Sequence, residues 1–128
     1  KGFENNETFQ LVTPHLCAYT PDATSMTINV NTAGSEVLKS LSASITDNMA
    51  DDIIKYREET PFNDIKDFTR FAKLETIIKD TNHLSTSSSH FLLRSQAIIG
   101  QANNIMYSII FRDEAGVTTI ISRTQRTL

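Results

Sequence analysis

The sequence predicts an α+β fold: an antiparallel β-sheet with a small all-helical insertion between its strands. Three observations predict it. Residues 31–80 carry apolar side chains at helical spacing, broken by polar caps and by Pro61. Residues 90–126 change to alternation, in segments joined by hairpin-length links. The chain has 128 residues, 39% of them hydrophobic and 21% charged, which suits one domain with a modest core. We therefore read 1–128 as a single domain, with 31–80 as the helical insertion and 8–30 and 88–127 as the sheet part.

Taken in order, the polar residues 1–7 precede a stretch from Phe9 to Tyr19 that is rich in β-formers. Pro14 interrupts it, so an edge strand or two short pieces are expected. Thr20–Ser25 reads as a turn and Met26–Val30 as a second short strand. Asn31 or Thr32 is the expected N-cap of the first helix, with Glu36 in its first turn where the dipole favours it. Val37, Leu38, Leu41 and Ile45 share its apolar side.

Thr46 or Asp47 caps a second helix, with Met49, Ala50, Ile53, Ile54 and Tyr56 on its apolar side. Asp51, Asp52, Lys55, Glu58 and Glu59 form a solvated face. Pro61 cannot continue that helix. Asn63 or Asp64 caps a third, expected to turn Ile65, Phe68, Phe71 and Ala72 inward, with a further turn over Leu74–Lys79. Asp80–His90 reads as loop. Ile78 and Leu84, at the margins, have no obvious partner and are candidates for a docking surface. His90–Ile99, Ile105–Arg112 and Val117–Arg126 then form an antiparallel meander. Phe91, Leu93, Ala97 and Ile99 share one face of its first strand. Tyr107, Ile109 and Phe111 share one face of the second.

Several function classes lose ground on composition. The formal net charge of −3 argues against a nucleic-acid or anionic-lipid partner. Cys17 is the single cysteine, so no internal disulfide can form, and nothing nearby would lower its pKa. No run approaches the ~20 apolar residues of a membrane span. Ser88, Ser89 and His90 adjoin, but no G-x-S-x-G elbow accompanies them. His15, His83 and His90 lack metal-ligand spacing, and Asp80, Asn82 and His83 do not make an EF-hand. The exposed pairs Asp51-Asp52 and Glu58-Glu59 have no apolar pocket to raise a pKa. The four glycines are isolated, so there is no phosphate loop. No catalytic residue is assigned, and metal ligands are not assignable.

A strand, an N-T-A step, two short helices and a P-F step resemble the helix-hairpin-helix DNA-binding modules, such as that of the competence DNA receptor. Here the corresponding turn, Ser42 to Thr46, has no glycine, and Asp47, Asp51 and Asp52 would repel phosphates. A nucleic-acid-binding module is therefore the alternative reading, and no nucleic-acid partner is expected. The same stretch resembles more closely the minor pseudopilin K family of type II secretion systems, the general secretion pathway protein K. Asn29, Asn31, Thr32, Ala33 and Leu38 match its first segment. Ala50, Ile54 and Arg57 match the second, and Pro61, Phe62, Asp67 and Phe68 the third. Ser88 or Ser89 with Phe91 resembles the start of the family's closing strands, and Arg112 also fits. Gly34 departs from the proline common there, and the helical region is shorter than in many members.

The resemblance implies a non-enzymatic, pseudopilin-like subunit at the periplasmic face of the inner membrane of a Gram-negative bacterium. It implies a place at the pseudopilus tip, with minor pseudopilins I and J as partners, in support of pseudopilus assembly and protein export across the outer membrane. Membrane attachment would run only through an N-terminal helix. The chain starts at Lys1, so we expect a fragment from which that helix has been cut. Some members of the family hold calcium, and no ligand for it can be carried over here. The matched residues are read as structural: Asn31 and Thr32 as caps, Arg57 as a tie to a neighbouring carbonyl or carboxylate, and Phe62 and Phe68 as packing between helices.

Overall fold

The computed structural model describes residues 6–16 and 27–127. Cys17, the rest of the expected first strand and the turn at 20–25 lie outside them. Contacts divide the chain into two units, 1–87 and 88–128. The first holds short helices and a two-residue strand pair, the second an antiparallel sheet, so the class is α+β.

The stretch expected to begin a strand at Phe9 is helical instead. Helix α1 (Asn6–Val12) runs into a 3-10 turn over Thr13–His15. Local bonding overrides β-propensity here. The Thr13 hydroxyl donates to the Phe9 carbonyl at 2.6 Å, and Pro14 sits at the start of the 3-10 turn, where its fixed φ is compatible.

Strand β1 (Ile28–Asn29) pairs in parallel with β2 (Leu84–Ser85), inside the segment expected to be loop. The Ile28 N–H donates to the His83 carbonyl at 2.8 Å, and the Val30 N–H to the Ser85 carbonyl at 2.9 Å. Between them lies the core, in which Val30, Leu38, Ala50, Ile53, Phe68 and Leu74 are wholly buried. Ile78 and Leu84 join that core, so neither is a docking residue.

Helix α2 (Ser35–Ser40) begins after Gly34, with no side-chain cap, so Asn31 and Thr32 do not cap it. Helix α3 (Asp47–Glu59) is capped by Thr46, whose hydroxyl accepts from the Met49 N–H at 3.3 Å. Lys39 links the two helices. Its ammonium lies 2.7 Å from Asp47 and 2.8 Å from Glu36, which raise its pKa above the usual lysine value. Thr46→Ala is expected to cost about 1 kcal/mol, read as a shift of the urea midpoint at unchanged slope.

Helix α4 (Ile65–Arg70) is capped by Asp64, which accepts from the Asp67 N–H at 2.8 Å. It stops there because Ala72 and Lys73 take φ values of +49° and +57°. That left-handed step puts Ala72 at the surface rather than inward, and it leads through a 3-10 turn (Phe71–Thr76) to the buried Leu74.

The second unit is the expected meander. Strands β3 (His90–Ile99), β4 (Ala102–Arg112) and β5 (Thr118–Thr127) are antiparallel in the order β3–β4–β5. The first hairpin turns on Gly100 at φ +60°, so β4 starts earlier than alternation indicated. In the second, the Asp113 carboxylate accepts from the Val117 N–H at 2.8 Å, and Gly116 takes φ +83°. Register places the Phe91 set and the Tyr107 set on opposite faces. A bulge lets Ile109 face Ser122 and Ile110 face Ile120, leaving Ile121 as the extra residue.

Candidate functional site

Three of the matched residues, Asn29, Asn31 and Arg57, supply the side chains of one polar clamp within the first unit. At the end of β1 the chain turns: the Asn29 carbonyl accepts from the N–H groups of Thr32 (3.1 Å) and Ala33 (2.9 Å). The Asn29 side-chain oxygen accepts from the Asn31 N–H at 3.0 Å. This holds Asn31, half-buried, with its amide aimed across the fold. Its Oδ1 accepts from the Phe62 N–H at 2.9 Å, while its Nδ2 donates to the carbonyls of Phe62 (2.9 Å) and Thr86 (3.1 Å). One side chain thus satisfies backbone groups in the P-F step and beyond β2.

Arg57 makes a second tie, from the last turn of α3. Its Nη1 donates to the Val30 carbonyl at 2.6 Å. Desolvation lowers its pKa below the usual arginine value. Ala33 and Ile54 pack half-buried against the core, Leu38 and Ala50 are wholly buried, and Thr32 and Pro61 face solvent. Phe62 and Phe68 are buried and meet edge to face, with centroids 5.3 Å apart. Tyr56 stacks on Phe62 at 5.3 Å and touches Phe71 at 4.6 Å. An open trough of about 340 Å³ lies over these rings, flanked by Thr60, Asp67 and Arg70. Phe91 belongs to the other unit, on β3, where the Arg112 guanidinium sits 5.1 Å from its ring centre.

Helical periodicity could not reveal the clamp, because its partners lie 31 and 55 positions away. Its one sequence signal is an asparagine before T-A, which reads equally well as a cap.

Residues 28–87 match the family model described as type II secretion system (T2SS), protein K. Over this segment, a little under half of the chain, the protein is similar to protein K. The segment begins at β1 and ends at Ser87, the last residue of the first unit. The clamp and the motif aromatics Phe62 and Phe68 lie inside it, whereas Phe91, Arg112 and the closing strands lie outside. Protein K is a structural component of the secretion machinery and works with other pseudopilus parts. Its family is periplasmic and associated with the inner membrane. No curated protein matches the chain.

The geometry around the matched segment offers little for chemistry. Ser89 Oγ lies 3.0 Å from His90 Nδ1, a contact between sequence neighbours at the exposed start of β3. For calcium, which takes six to eight oxygen ligands, the loop at Asp80 is poorly furnished. One oxygen of Asp80 accepts from the Asn82 N–H at 3.0 Å, and the other lies 3.9 Å from His83 Nδ1. Among the described residues no three His, Cys, Asp or Glu side chains gather, so they do not fit a calcium site. Among the described residues, too, no helix is long and apolar enough to cross a membrane.

Proposed function

We propose that the chain is a minor pseudopilin of the tip, joining pseudopilins I and J of its own secretion system to start or cap the pseudopilus. The observation that supports this is the protein K match over a unit whose motif residues are tied together by Asn31 and Arg57. In this reading the clamp is architecture. It holds the helical unit together, in a chain that works at the periplasmic face of the inner membrane. The motif residues from Asn29 to Phe68, and Phe91 beyond them, build the fold rather than touch partners.

The DNA-binding alternative has a shared backbone outline and little else. Its hairpin would need glycine N–H groups open to phosphate. Here the Ser42 carbonyl and hydroxyl already take the N–H groups of Ile45 and Ser44. Asp51 and Asp52 are exposed on the following helix and would repel a phosphate backbone.

Mixing this chain with the periplasmic domains of I and J, and measuring mass by light scattering, tests the proposal. A stable interface buries roughly 1,200–2,000 Å² and survives gel filtration. The expected result is one heteromeric species. If I and J pair while this chain elutes alone at every ratio, the proposal is wrong.

A further inference from the structure

The two outer strands of the sheet differ as edges. Strand β5 is bent by its bulge at Ile121 and carries Arg123, and both are devices that discourage further pairing. Strand β3 runs ten residues in unbroken register with no proline, and Arg94 is its single Lys, Arg, Asp or Glu. Leu92, Ile98 and Ile99 on it are 70%, 69% and 79% exposed, and Phe91 and Leu93 are also exposed. Among the described residues it pairs with β4 alone. A long, regular, apolar edge is a template for another strand.

The sequence of β3 is complementary to itself in one antiparallel register. A two-fold axis at Ser95, normal to the sheet, keeps each face on its own side. On one face it sets Phe91 opposite Ile99 and Leu93 opposite Ala97 of the second copy. On the other it sets Leu92 opposite Ile98 and Arg94 opposite Gln96, the pair that already bonds within one strand at 3.2 Å. Neighbouring registers are worse. An axis at Arg94 opposes two guanidinium groups, and an axis at Gln96 sets Arg94 against Ile98 and leaves Phe91 without an apolar partner.

We propose that β3 is a strand-pairing edge, and that in the isolated chain its occupant is β3 of a second copy, in antiparallel register about Ser95. Edge pairing alone buries less than the ~1,200 Å² of a stable interface, so the dimer is weak and depends on concentration.

Cysteine cross-linking of the full chain, with Cys17→Ser as background, tests this. Directly opposed residues in antiparallel strands have Cα atoms about 4.5–5.5 Å apart, within disulfide reach. Ser95→Cys is expected to give a disulfide dimer on mild oxidation, faster at higher chain concentration. Mixing the Leu93→Cys and Ala97→Cys chains should give the mixed dimer. Ile98→Lys, at an exposed position outside the core, should slow the Ser95→Cys reaction several-fold. Thr119→Cys on β5 serves as the unpaired-edge control. Cross-linking of Ser95→Cys no faster than that control overturns the proposal, as does indifference to Ile98→Lys. Preferred cross-linking of Ser95→Cys to I or J replaces the second copy with a different occupant and equally overturns it.

Discussion

Phe68→Ala is expected to destabilise the first unit by about 3–5 kcal/mol, the range for removing a fully buried phenyl ring. Phe68 has no exposed surface and lies edge-on to Phe62 at 5.3 Å, in a group of rings that also includes Tyr56 and Phe71. Removing it deletes apolar contact and leaves a cavity that surrounding helices cannot easily close. Urea denaturation followed at the helical circular-dichroism band should show the loss. Phe68→Leu, which refills most of the volume, should recover a large part of it.

Asn31→Ala is expected to cost about 3 kcal/mol, because truncation strands three half-buried backbone groups that cost roughly 1–3 kcal/mol each when water cannot reach them fully. The discriminating variant is Asn31→Asp. Aspartate is as good an N-cap as asparagine, so a capping residue would tolerate it. In the clamp it faces the carbonyls of Phe62 and Thr86 with a carboxylate oxygen in place of a donor. Asn31→Asp should therefore be at least as destabilising as Asn31→Ala. A near-neutral Asn31→Asp would mean that the clamp contributes little.

How far the sequence reveals this fold depends on the length of each element and the range of its bonds. Helix α3 is legible because thirteen residues show one apolar side, a threonine cap and a proline stop. The meander is legible because ten-residue strands alternate long enough to be counted. The pairing of β1 with β2 is not: two residues carry no period, and their partners lie far apart in sequence. The first helix misleads because Phe9, Val12 and their neighbours favour strand, while the bond from Thr13 to Phe9 is local and favours a turn of helix. The end of α4 at Ala72 and Lys73 carries no signal, since neither residue is one that usually takes positive φ. The candidate site divides in the same way. Arg57 as a tie to a carbonyl is legible from its place in the last turn of α3, and the carbonyl proves to be that of Val30. Asn31 looks like a cap, and only its partners at Phe62 and Thr86 show it to be a clamp.

The most direct test of the central claim, that the protein K motif acts through the fold, is partner binding measured against folded fraction. Affinity for the I–J pair would be determined for Asn31→Ala, Arg57→Gln and Thr32→Ala, with the folded fraction of each taken from its own denaturation curve. The account predicts a single relationship: Thr32→Ala, at an exposed position, folds and binds like the parent, while the other two lose binding only as they lose structure. A Thr32→Ala or Arg57→Gln chain that is fully folded yet fails to bind I and J would contradict it.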